Sequence, residues 1–161
     1  MFFKIIIART EGDLYTIREI DDPEIFGWTK RRMENLDRVN ILGVGISEVT
    51  LAKAVAQMAT WIAQGSHHYV NVCTVHTVME CQQDPELKKI VNESGMATPD
   101  GMPLVWLGKY QGRRSITRVY GPDLMLAFCE YSLEKGYGHF FYGGAPGIAK
   151  ELAAKLKCRY P

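Results

Sequence analysis

Apolar positions along the chain alternate between short runs that suit strands and longer stretches at helical spacing. Residues 2–8 form a first apolar run, broken only by Lys4, and read as a strand. A polar, charged stretch follows, through Asp21-Asp22-Pro23 and Lys30-Arg31-Arg32. From Arg38 onward the alternation becomes regular. Residues 39–44, an apolar run bounded by glycines, supply a strand. Ser47 or Thr50 can cap the helix that follows, whose apolar positions Leu51, Val55, Met58 and Ile62 share one face, and Gly65 suits its end. Residues 69–73 are rich in strand formers. A helix through residues 78–81 comes next. Asp84-Pro85 opens another, with proline at the tolerated first position, running to about Asn92. Met96-Ala97-Thr98 is extended, Pro99-Asp100-Gly101 has turn chemistry, and a helix spans residues 103–110. Gly121-Pro122-Asp123 starts a helix that Gly136 closes. Residues 139–142 read as a strand of the buried type, and Ile148, Leu152 and Leu156 mark the last helix.

This alternation predicts βαβ units. The expected fold class is α/β, Rossmann-like, with a mainly parallel sheet and helices on both faces. The chain stops as its last helix ends, so the fold is expected to be incomplete at the C-terminus. Residues 1–36 stand apart as a leader or edge element, and residues 37–161 form the domain.

Composition narrows the class further. A hydrophobic share of 47% and a net charge of +1 over 161 residues describe an ordinary globular domain, with no whole-molecule attraction to nucleic acid. The N-terminal apolar run is too short, and too soon followed by Glu11 and Asp13, for a signal peptide. No apolar stretch approaches the roughly 20 residues of a membrane span. A cytoplasmic protein is expected, with membrane contact at most peripheral. Cys73, Cys81, Cys129 and Cys158 lie far apart, which favours free thiols. No metal site and no cofactor are expected.

Ligands in open α/β sheets bind beyond the carboxyl ends of strands. Three places qualify. Gly143-Gly144-Ala145-Pro146-Gly147 joins a strand to a helix, where backbone amides and the helix N-terminus can hold a diphosphate; a tight turn would need the same glycines. Asp100, between Pro99 and Gly101, should sit exposed on a fixed turn, where its carboxylate can take a proton from a substrate hydroxyl or simply serve as a turn or cap residue. Thr74 and His76 follow a strand and can hydrogen-bond a sugar, or Thr74 can cap a helix and His76 sit at the surface. Arg118 can pair with a phosphate or with Asp123. Arg113-Arg114 reads as a solvated loop. There is no Asp-x-Asp pair to hold a cation against a diphosphate.

Five segments appear in order: Val72-Cys73-Thr74-Val75-His76, Asp84-Pro85-Glu86-Leu87, Thr98-Pro99-Asp100-Gly101-Met102-Pro103-Leu104, Arg118-Val119-Tyr120-Gly121-Pro122-Asp123-Leu124-Met125 and Phe141-Tyr142-Gly143-Gly144-Ala145-Pro146-Gly147. With this set the chain resembles the WecG/TagA/CpsF family of bacterial glycosyltransferases over residues 39–161. The resemblance implies metal-independent, inverting transfer of a sugar, commonly of the N-acetylmannosamine type, from a UDP-sugar to a polyprenyl-diphosphate-linked acceptor in cell-envelope or exopolysaccharide synthesis. It places the family's base on Asp100 and the threonine of its T-x-N stretch on Thr74; His76 stands where the family has asparagine. Pro99, Gly101, Arg118, Gly143, Gly144 and Gly147 complete the expected substrate contacts. Family members continue beyond this length, so residues 37–161 would be the N-terminal catalytic half. The alternative expectation is a truncated, non-catalytic nucleotide-sugar-binding or partner-dependent module. Oligomeric state is left open.

Overall fold

The computed structural model of the chain describes residues 4–8 and 36–161. The charged stretch around Asp21 and Arg31 lies outside the described residues, as does most of the segment expected to be a leader. The first expected strand is present as β1 (Lys4–Ala8).

The apolar run over residues 39–44 is not one strand but a hairpin. β2 (Arg38–Ile41) and β3 (Val44–Ser47) pair antiparallel, with Asn40 opposite Gly45. Leu42 and Gly43 form the two-residue turn, with φ of +54° and +82°. Two positive φ angles match the twist of the flanking strands. The turn is held from outside. The Asn92 side chain accepts from the Gly45 N–H at 2.8 Å and donates to the Gly43 carbonyl at 3.0 Å. Arg38 donates to the Gly45 and Asn92 carbonyls, and also to that of Ser94.

α1 (Leu51–Ala63) is capped by Thr50, whose hydroxyl accepts from the Lys53 N–H. Ser47, the other expected cap, is buried inside β3 instead, where its hydroxyl accepts from the Ala97 N–H at 3.0 Å. That bond ties the hairpin to β5 (Met96–Pro99). β5 pairs in parallel with β4 (Val70–Cys73), with Cys73 opposite Pro99. A parallel pair needs a crossover connection. It is provided by α2 (Val75–Gln83) and α3 (Pro85–Glu93), the latter capped by Asp84 with Pro85 at its first turn, as expected. α4 (Met102–Tyr110) and α5 (Gly121–Ser132) follow, then β6 (Gly138–Tyr142) and α6 (Ile148–Arg159).

The fold is therefore mixed α/β. Among the described residues the strands pair as three two-stranded ladders, of which β4–β5 is parallel while β2–β3 and β1–β6 are antiparallel. The hairpin turn leaves β3 too close in sequence to β2 for anything but an antiparallel pairing.

Two apolar clusters fill the interior. One gathers the hairpin, Cys73, Ala97 and Ile116; the other joins α1 to α5 through Met58, Trp61, Leu124 and Phe128. β6 differs from its expected buried character. Phe140 and Tyr142 are 52% and 68% exposed, while His139 turns inward between the rings of Phe128 and Phe141. No helix among the described residues is long and apolar enough to cross a membrane.

Candidate active site

Parallel pairing of β4 with β5 brings two strand ends together. Because Cys73 lies opposite Pro99, the residues that follow them, Thr74 and Asp100, leave the ladder side by side. The Asp100 N–H donates to the Cys73 carbonyl at 2.8 Å, which continues the ladder by one bond and fixes the Asp100 backbone. Pro99 is buried, and its carbonyl accepts from the Val119 N–H at 2.9 Å. That bond lays the segment before α5 along the end of β5, and the Thr117 N–H donates to the Val49 carbonyl beside it.

This placement delivers Arg118 to Asp100. Its Nη2 and Nε both donate to Asp100 Oδ1, at 3.2 and 3.4 Å. The guanidinium also lies over the ring of Tyr120, 4.9 Å from its centroid. The Asp100 side chain is only 11% exposed, because Arg118 covers it; the expectation of an exposed carboxylate is corrected on this point. Arg118 pairs with Asp100 rather than with Asp123, since the bond between Pro99 and Val119 sets which carboxylate the arginine meets. Arg118 itself is 49% exposed, so one side of the pair is open to an incoming anion.

Three helices begin at this edge. α2 starts directly after Thr74, and α4 directly after Gly101, whose φ of +154° and ψ of +137° suit glycine. α5 starts at Gly121, where a Cβ would stand 3.4 Å from a methyl of Val72 in β4. Neither α4 nor α5 has a side-chain cap, so Asp100 does not serve as the cap of α4. The N–H groups of both first turns can meet negative charge, which the helix dipole favours.

Thr74 is a cap. Its hydroxyl accepts from the Thr77 N–H at 3.1 Å, and Thr77 Oγ1 in turn accepts from the Thr74 N–H. His76 sits on the first turn of α2, 80% exposed, with Nε2 3.2 Å from Glu80. Behind Thr74, burial pushes the Cys73 thiol up to about 12, so it stays neutral and serves the core.

Gly143, Gly144 and Gly147 belong to the turn between β6 and α6, with φ of +115°, +79° and +90°. Gly147 occupies the N-cap position of α6 without a side-chain cap bond. This turn lies on the β1–β6 ladder, separate from the β4–β5 pair that carries Asp100. Thr74, Pro99, Asp100, Gly101 and Arg118 are thus gathered at one strand edge, and the glycines are placed by another.

Two contacts were missed in the sequence. Tyr120 is one. Arg118 and Tyr120 are two apart in an extended segment, the spacing that puts side chains on one face, so the signal was present. Glu48 is the other. It accepts from Ser115 Oγ at 2.6 Å and from Arg113 at 3.4 Å, and Asp37 lies 3.8 Å from Arg113. Arg113 is therefore tied into the fold rather than solvated, and nothing local in the sequence couples positions 48 and 113.

The chain is similar to the N-acetylglucosaminyldiphosphoundecaprenol N-acetyl-beta-D-mannosaminyltransferase of Bacillus spizizenii, at 24% identity over 102 residues, covering 63% of this chain and 40% of the relative. The chain thus spans about two-fifths of that relative's length. The model of the glycosyl transferase WecG/TagA/CpsF family matches residues 39–161, a stretch that holds both parallel strands and every residue gathered around Asp100. The chain belongs to the WecG/TagA/CpsF family of glycosyltransferases.

Proposed function

We propose that this chain takes part in metal-independent, inverting transfer of a sugar of the N-acetylmannosamine type from a UDP-sugar to a polyprenyl-diphosphate-linked acceptor, in cell-envelope or exopolysaccharide synthesis. The observation that carries this is the Asp100–Arg118 pair at the carboxyl edge of β4–β5, flanked by the first turns of α2, α4 and α5. The parallel crossover from β4 to β5 supports a Rossmann-like reading of this part of the fold. The activity named for the Bacillus relative supports the acceptor and sugar classes.

In this mechanism Asp100 accepts the proton of the acceptor hydroxyl as the oxygen attacks the anomeric carbon. The bond to the UDP oxygen breaks on the opposite face, which inverts the centre. The departing diphosphate needs positive charge, and no Asp-x-Asp pair offers a cation site. Arg118 fills that need. It turns from Asp100 to the diphosphate, releasing the carboxylate as the donor arrives, and helix N-termini add their dipoles. Thr74 presents its hydroxyl to the sugar or acceptor while keeping its cap, His76 reaches in from the same turn, and Pro99 and Gly101 hold Asp100 in place. Gly143, Gly144 and Gly147 offer backbone amides to the donor's phosphates. The reaction runs at the cytoplasmic face of the plasma membrane, where the acceptor lipid is held.

A transfer assay with a panel of UDP-sugars and a short polyprenyl-diphosphate acceptor tests this. Product should form in the presence of a chelator, and Asp100→Asn should lower turnover by about 10²–10⁴-fold, the range of general-base catalysis, with an unchanged melting temperature. Near-parental turnover by that variant would remove Asp100 as the base. UDP binding without transfer under any condition would favour a nucleotide-sugar-binding module instead.

A further inference from the structure

α4 is apolar on more than one face. Leu104, Val105 and Gly108 are buried, while Met102, Trp106, Leu107 and Tyr110 are exposed, Trp106 by 61% and Tyr110 by 91%. Met102, Trp106 and Tyr110 follow one another at four-residue spacing, so they form a stripe along the helix. Charge reinforces the pattern. Between Asp100 and Asp123 the chain holds Lys109, Arg113, Arg114 and Arg118 and no acidic residue at all. Arg113 is engaged with Glu48 and Asp37, and Arg118 with Asp100. Lys109 and Arg114 are exposed, with no ion partner among the described residues. Exposed tryptophan and tyrosine beside lysine and arginine is the composition of a surface that lies in a membrane interface.

Its position makes the pattern specific. α4 begins two residues after Asp100. Its nine residues rise only about 13 Å, at about 1.5 Å per residue. In an acceptor of the proposed class, one sugar and two phosphates separate the reacting hydroxyl from the lipid chain. A bilayer surface must therefore come close to Asp100 whenever that acceptor is bound.

We propose that the Met102–Trp106–Tyr110 stripe of α4, with Lys109 and Arg114, is the face that docks on an anionic phospholipid bilayer and brings the lipid-linked acceptor to Asp100. The choice of bilayer rests on the glycosyltransferase reading above, but lipid binding can be measured without turnover. The apolar side chains enter the headgroup boundary, and the two cations meet anionic headgroups.

Co-sedimentation of the full chain with vesicles of phosphatidylcholine alone, or with about a third phosphatidylglycerol, tests the inference. The parent should bind the anionic vesicles and release at high salt. Trp106→Ser with Tyr110→Ser should weaken binding by ten-fold or more, at an unchanged circular dichroism spectrum. Trp106→Phe should retain it while abolishing quenching of tryptophan fluorescence by brominated lipid. Asp100→Asn should bind vesicles as the parent does, so loss of transfer and loss of docking are read separately. Failure of the parent to bind anionic vesicles, or unimpaired binding by the double serine variant, would overturn the proposal. So would a parental dimer that this double variant converts to monomer, since the stripe would then be covered by a second copy.

Discussion

Asp100 shows how much a single position depends on what packs over it. In sequence it is a turn aspartate between proline and glycine. In the fold both Arg118 donors converge on one of its oxygens, and Tyr120 supports the arginine from the other side. A planar fork on a ring is a geometry lysine cannot reproduce. Arg118→Lys is therefore expected to keep the charge yet lower kcat/KM by about ten-fold, with the larger change in KM for the UDP-sugar; steady-state kinetics against donor concentration would check it. Thr74 carries a structural duty that can be separated from its proposed catalytic one. Thr74→Ala should cost about 1 kcal/mol by removing the cap, whereas Thr74→Ser should restore most of that stability in urea titrations. Equal loss of transfer in both variants, despite the restored stability, would mean that the methyl group matters at the site.

At the scale of elements, those with helical period were the legible ones. The start of α3 at Asp84-Pro85 and the short β5 before Asp100 follow from local chemistry, whereas that chemistry offers both Ser47 and Thr50 as the cap of α1 and the burial of Ser47 in β3 selects Thr50. The hairpin was not legible, because an exposed leucine occupies the first turn position where asparagine or aspartate would have signalled a turn. Leu42 is held at φ +54° and is 60% exposed, so it gains little burial in return for the unfavourable backbone. Leu42→Asn is accordingly expected to stabilise the protein by about 0.5–1 kcal/mol, seen as a higher melting temperature. A drop in stability would overturn the expectation that the leucine backbone is the dominant cost here. β6 matches the expected strand but not the expected burial. Its partner β1 comes from the other end of the chain, and which of its faces is covered depends on α5, neither of which sequence period supplies.

Across the whole molecule, polar contacts of long sequence separation hold the elements in place. Ser47 joins the hairpin to β5, Arg38 and Asn92 join it to the end of α3, and Glu48 joins it to the loop after α4. The hydrogen bond from Ser115, helped by Arg113, holds the Glu48 carboxyl below its usual value near 4.5, against a smaller opposing effect of burial. A depressed folded value means that this contribution is complete above the unfolded value and is lost as pH falls through the folded one. Glu48→Gln should thus be less stable than the parent at pH 7, and should lose less stability between pH 5 and pH 3; thermal melts across that interval would check both. Local sequence accounts for the strand–helix alternation, the cap of α3 at Asp84 and the presence of Thr74, Asp100 and Arg118 next to strand or helix ends, because caps, turns and periodicity act over a few residues. Packing between distant segments settles that Arg118 faces Asp100 rather than Asp123, that Arg113 is tied to Glu48, and that α4 leaves an aromatic face uncovered beside the site. The first depends on the register of β4 against β5 and on the segment that the Pro99 carbonyl holds alongside, and all three rest on contacts between distant segments that no local preference encodes.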